Sequence, residues 1–202
     1  MNRRYLLRAS LVAAAVVWAA TIGAAYRAVR LFETTPGAPA RAPQWWPETS
    51  SLARGNQDWT MVMLIHPHCS CSRASVQELQ AIVDKSPGLR PHVLVFRPSD
   101  FRKGWEQTEV VKAASRMRQA RVKIDVDGRE ASLFGGFTSG QTLLYDRNGK
   151  LRFAGGITSL RGHAGINSGR VDVIEIVRSG LGNGAHPVFG CAIASATEKE
   201  QR

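Results

Sequence analysis

Residues 60–84 read TMVMLIHPHCSCSRASVQELQAIVD, and this stretch decides the fold. TMVMLIH (60–66) is a short apolar run of the length that suits a buried strand. Pro67 breaks it. SRASVQELQAIVD (72–84) then places Ala74, Val76, Leu79, Ile82 and Val83 near helical spacing. Ser72 and Ser75, with Glu78 three residues after Ser75, supply cap chemistry at the helix start. Cys69 and Cys71 sit at the break itself, separated only by Ser70. A cysteine that begins a helix meets unpaired N–H groups and the positive end of the helix dipole, and both favour the thiolate. The pattern therefore predicts Cys69 as an exposed attacking thiol with a lowered pKa and Cys71 as its second thiol. His66, His68 and Arg73 lie close enough in sequence to lower that pKa further. Structural cysteines are more often buried and isolated than paired at such a break.

Working outward, HVLVFR (92–97) reads as a second strand and WEQTEVVKAASRMRQ (105–119) as a helix. VKIDVD (122–127) is a strand and REASLFG a short helix. QTLLYD (141–146) and LRFAGG (151–156) form a hairpin across the turn RNG. RVDVIEIVRSG (170–180) is a helix ended by glycine. Strands alternating with helices imply a parallel sheet covered on both faces, and the late hairpin adds antiparallel strands.

This order, with CSC after the first long strand, resembles the thioredoxin-like superfamily over roughly residues 56–182. TSGQTLLYDRNGKLRFAGG is similar to the central hairpin of membrane-anchored bacterial thioredoxins, the TlpA/ResA-like group. IHPHCSCSRAS, GGITSLRGHAG and HPVFGC are more like the RedB-like branch. The resemblance implies a thioredoxin-like α/β fold and thiol-disulfide exchange with protein thiols or disulfides, using Cys69 and Cys71 and no cofactor. Two departures matter. One residue separates the cysteines where the family has two. No proline lies between Pro98 and Pro187, so Gly140 or Gln141 takes the place of the family's cis-proline, and a non-proline there is expected trans.

The absence of that proline ring opens a second reading. Two thiolates with a histidine are soft ligands suited to copper or zinc. Cys69, Cys71, His163 and Cys191 are the ligand set of this reading, with His66 and His68 in reserve. The spacing matches no zinc signature, and each histidine taken singly fits an ordinary surface or hydrogen-bonded role. Cys191, in HPVFGC after the last helix, is open to three roles: resolving thiol, metal ligand or bystander. Cys71 is the expected partner of Cys69, because chain proximity gives it a high effective concentration.

The N-terminal run ASLVAAAVVWAATIGAAY (9–26) has eighteen residues without a charge, which is enough to cross a bilayer. A cleaved secretory signal remains the alternative, with Gly23-Ala24-Ala25 as the cleavage site. Arg3, Arg4 and Arg8 precede the run, and the positive-inside rule then puts residues 1–8 in the cytoplasm and the rest outside. The expected organisation is a transmembrane anchor at 9–26, a proline-rich periplasmic tether at 27–55, a thioredoxin-like domain at 56–182 and a tail at 183–202. The expected protein is thus a single-pass one, in a bacterial inner membrane.

The chain of 202 residues has a net charge of +11, from 27 Lys+Arg against 16 Asp+Glu. Its arginines flank the apolar run or lie scattered, with no basic stripe interleaved with aromatics, and this excludes a nucleic-acid footprint. Three cysteines are too few for a disulfide scaffold. No phosphate-binding fingerprint or nucleophile elbow occurs.

Overall fold

A computed structural model describes residues 3–55 and 57–193. They fall into two units, divided after Thr35.

The first unit is one helix, α1 (Arg3–Thr34). Its segment Leu7–Thr34 spans 28 residues with a mean hydropathy of 1.7, long and apolar enough to cross a membrane. The hydroxyls of Thr21 and Thr34 donate to the carbonyls of Val17 and Arg30 four residues earlier. Polar side chains in an apolar surround are satisfied in this way. The helix runs past residue 26, where the sequence reading begins the tether. Nothing breaks it before Pro36, and Arg30 pairs with Glu33 at 3.5 Å on its last turn.

In the second unit the residue 60–84 stretch folds as strand β1 (Trp59–Ile65), a break, and helix α2 (Ser70–Val83). The chain continues through β2 (Leu89–Arg97), α3 (Glu109–Arg116), β3 (Arg121–Val126), α4 (Arg129–Leu133), β4 (Gln141–Tyr145), β5 (Leu151–Gly156), α5 (Ser168–Ser179) and β6 (Gly184–Ala185). One mixed sheet has the order β3-β2-β1-β4-β5-β6. β1, β2 and β3 are parallel, and β4 is antiparallel to β1 and to β5. This is the thioredoxin-like α/β architecture that the sequence order implies.

Every residue of β1 is buried, which is why its run is apolar without alternation. Its side chains still alternate between faces. Met61, Met63 and Ile65 pack with Leu79 and Ile82 of α2, Val110 of α3 and Val173 of α5. Val62 and Leu64 pack on the opposite face with Phe134, Leu143 and Tyr145.

Among the described residues, the only helix over that second face is the five-residue α4, too short to cover it. Residues 36–55 lie across it. The Trp46 ring meets Phe134 at 5.0 Å and Tyr145 at 5.3 Å, edge-on. Arg41 N donates to Gly135 O, Trp46 N to Gly149 O and Leu151 N to Gln44 O, at 2.8–3.0 Å. Proline removes donors, yet this strap satisfies its remaining groups on the domain. Trp45 stays exposed. The helix expected at 105–119 is also shorter, because Trp105 is held in a turn and Thr108 is the extended cap of α3. Of the tail expected at 183–202, residues 194–202 lie outside the described residues.

Candidate active site

Cys69 is the N-cap of α2, with an extended backbone (φ −87°, ψ 122°). Its N–H donates to His66 O, and its carbonyl accepts from Ser72 N, both at 3.1 Å. The Ser72 hydroxyl donates to His66 O at 2.8 Å and lies 2.8 Å from Ser139 Oγ. Ser139 Oγ in turn accepts from His66 N at 2.9 Å. Strand end, helix start and the segment before β4 are thus tied by one small polar mesh. It leaves Cys69 and Cys71 only 7% and 2% exposed, so Cys69 is not the exposed thiol that its place at a helix start suggests: the mesh and the Cys191 tail cover it.

Cys191 reaches this mesh from far along the chain. Ser139 N donates to Cys191 O at 2.8 Å, and Ile193 N donates to Phe137 O at 2.9 Å. Thr138 and Ala192 form an antiparallel bridge between these bonds. The approach requires glycine at position 190, where a Cβ would fall 1.8 Å from Ser139 O. The guanidinium of Arg161 donates to the Gly190 carbonyl. Cys191 Sγ then lies 2.9 Å from Cys69 Sγ, and the three sulfurs are all within 4.8 Å of one another.

Burial works against ionising Cys69. The S–H and N–H of Cys191 and the N–H groups of Cys71 and Ser72 outweigh it, and hold Cys69 below the ordinary thiol value. Burial, followed by the charge of Cys69, raises Cys71. Burial of the sulfur also leads at Cys191, followed by its hydrogen bond to Cys69, and pushes it up to about 12. Of the three thiols, Cys69 is therefore the one that ionises first.

The surrounding residues fall where the sequence places them, with different duties. The His66 ring stacks on Phe96 at 5.8 Å and meets Trp105 at 5.5 Å. Burial, then the neighbouring His68, lowers its pKa. His68 bonds the Trp105 carbonyl through Nε2 at 2.9 Å. His68, Cys69, Ser70 and exposed Arg73 line a cleft of about 630 Å³. Gly140 has φ +87°, and its N–H bonds Leu64 O at 2.7 Å. A Cβ there would meet Ser75 Oγ at 2.7 Å, so the glycine admits α2 against the turn. Gln141 is buried and begins β4. No cis peptide bond occurs among the described residues. His163 is exposed and outside the sulfur cluster.

Sequence reasoning missed Ser139, Gly190 and Arg161. Ser139 and Gly190 act through backbone contacts, which leave no periodic signal. Arg161 lies beside Gly162, inside a stretch that stands out by resemblance alone.

No protein-family model matches the chain, and no curated protein matches it. Solved structures do. A hypothetical protein from Sinorhizobium meliloti 1021 is 18% identical with a TM-score of 0.56, covering 80% of this chain and 95% of its own. A conserved protein from Geobacillus kaustophilus is 16% identical with a TM-score of 0.55, covering 79% of this chain and 92% of its own. A secreted disulfide oxidoreductase of Mycobacterium tuberculosis aligns at 11% identity and a TM-score of 0.43, covering 60% of this chain and 81% of its own. These likenesses concern the fold.

Proposed function

We propose that this protein exchanges thiols and disulfides with other proteins on the outer face of a bacterial inner membrane. It is anchored by α1 and akin to the TlpA/ResA-like and RedB-like thioredoxins. Cys69 attacks. The observation that carries the reading is the 2.9 Å approach of the Cys191 sulfur to the sulfur of the helix-capping Cys69. In the reducing direction the Cys69 thiolate attacks a substrate disulfide, forming a mixed disulfide and releasing one substrate thiolate. Cys191, deprotonated, then attacks Cys69 Sγ. A Cys69–Cys191 disulfide forms and the second substrate thiolate leaves. The substrate gains two electrons and the chain loses two, and oxidation is the reverse.

The contact favours Cys191 over Cys71 as the working partner. The clustering of Cys69, Cys71 and Cys191 within 4.8 Å keeps copper as the second reading, with those three residues as ligands. The reduced, detergent-solubilised full chain, oxidised by an aromatic disulfide and mapped by peptide mass, should carry a dominant Cys69–Cys191 link. A Cys69–Cys71 link would restore the CSC pair. Stoichiometric copper that blocks thiol labelling would move the function to metal handling.

A further inference from the structure

Exchange through Cys191 needs the tail held against α2, because the Cys191 sulfur must stay within reach of Cys69 Sγ through the second step. Arg161, from the loop before α5, donates to the tail at the carbonyl next to Cys191.

Arg161 is fixed in place by a chain of contacts that begins on α2 itself. Glu78 of α2 is 3% exposed. Its carboxylate accepts from Gly165 N at 2.6 Å and from Asn167 Nδ2 at 3.2 Å, and pairs with Arg170 at 2.9 Å. Asn167 also donates to Ile157 O and caps α5 by accepting from Arg170 N. The loop bearing Arg161 is therefore pinned to the helix whose first turn carries Cys69 and Cys71. From that loop the half-buried guanidinium reaches the carbonyl of Gly190, the residue before Cys191. Contact runs from α2 through Glu78, the loop, Arg161 and Gly190 to Cys191, and back to Cys69.

We propose that Arg161 is the positioning residue of this site: it latches the tail through the Gly190 carbonyl and so keeps the Cys191 sulfur against Cys69 Sγ. The proposal rests on the exchange reading for its purpose, though not for its test. Arginine suits the task because it carries several donors in a fixed fork.

Two measurements on the full chain in detergent test it. With 5,5′-dithiobis(2-nitrobenzoate), attack by Cys69 releases the first thionitrobenzoate and leaves a mixed disulfide. Attack by Cys191 on Cys69 Sγ releases the second. Arg161→Gln should slow the second release about tenfold and the first by less. Arg161→Lys, which keeps the charge, should recover much of the loss. Separately, the hold on the tail is read by hydrogen exchange. The N–H groups of Ser139 and Ile193, which tie residues 137–139 to the tail, should exchange about tenfold faster in Arg161→Gln and recover in Arg161→Lys. Unchanged exchange of these N–H groups, or equal slowing of both releases, would overturn the assignment. A wild-type chain that releases only one equivalent would sink the exchange reading alone, since the hydrogen exchange needs no thiol chemistry.

Discussion

The two regions that bring sulfur to this site are built in opposite ways. The junction at residues 66–72 is local: strand end, break and helix cap follow one another in the chain, and the pieces that hold Cys69 lie within six residues of it apart from Ser139. The tail at 190–193 is held by groups at positions 137–139 and 161. A local thiol is placed as soon as its helix forms. A tail thiol is placed only after the sheet is complete, and what places it is backbone pairing and one glycine. Local construction gives a reactive sulfur. Distant construction gives a partner held by a few hydrogen bonds and by Ile193, which is buried among Leu64, Phe134 and Leu143.

The largest effect should come from the close approach in the tail. Gly190→Ala puts a methyl group 1.8 Å from Ser139 O, against backbone, where nothing flexible can yield. The tail must shift off residues 137–139 and carry Cys191 away. The equilibrium constant for the Cys69–Cys191 disulfide, measured against glutathione, should fall about a hundredfold as effective concentration is lost. Alkylation of Cys69 in the same variant should persist. If the disulfide survives at full strength, the tail is not held in the way described, and the contrast between the regions collapses.

How far each region was legible follows from the same contrast. An apolar run, a proline and a helical repeat expose the junction, because strand and helix periods are written in adjacent residues. Cys69 at a helix start needed no tertiary knowledge. The pairing of Ser139 with Cys191 crosses 52 positions and uses main-chain atoms that every residue has, so chain proximity points to Cys71 and gives no sign of the Cys191 contact. The proline-rich segment shows the same limit: composition marks what cannot be helix, and Trp46 docks by shape on a face that exists only once β4 and α4 are in place. Arg161 was quoted only within a resembling stretch, since nothing in its neighbours points to Gly190.

A smaller effect tests how much the tail contributes to the junction's reactivity. Cys69 is held below the ordinary thiol value against its own burial, partly by the S–H and N–H of Cys191. Its thiolate is present above the lowered pKa and is lost as pH falls through it, so alkylation reaches its plateau at a lower pH than for a free cysteine near 8.5. Cys191→Ala removes the S–H donor and leaves the N–H. The midpoint should move up, and alkylation of Cys69 at pH 7 should slow about threefold. An unchanged midpoint would assign the activation to the helix start alone, making the junction chemically independent of the tail.

The smallest effect belongs to the polar mesh where the regions meet. Ser72 is fully buried, donates to His66 O and touches Ser139 Oγ, the side chain of the residue whose N–H holds Cys191. Ser72→Ala deletes one hydroxyl and leaves Ser139 with its bond from His66 N. A single neutral hydrogen bond of this kind contributes about 1 kcal/mol, and the His66 carbonyl keeps the Cys69 N–H as a partner. The denaturation midpoint should therefore drop modestly, by an amount matching about 1 kcal/mol in urea titration. Disulfide formation with Cys191 should hardly change, because Ser139 grips the tail through its main chain. A loss of disulfide as large as that from Gly190→Ala would mean that the hydroxyl mesh, and not the backbone pairing, sets the tail in register. The two regions would then be one.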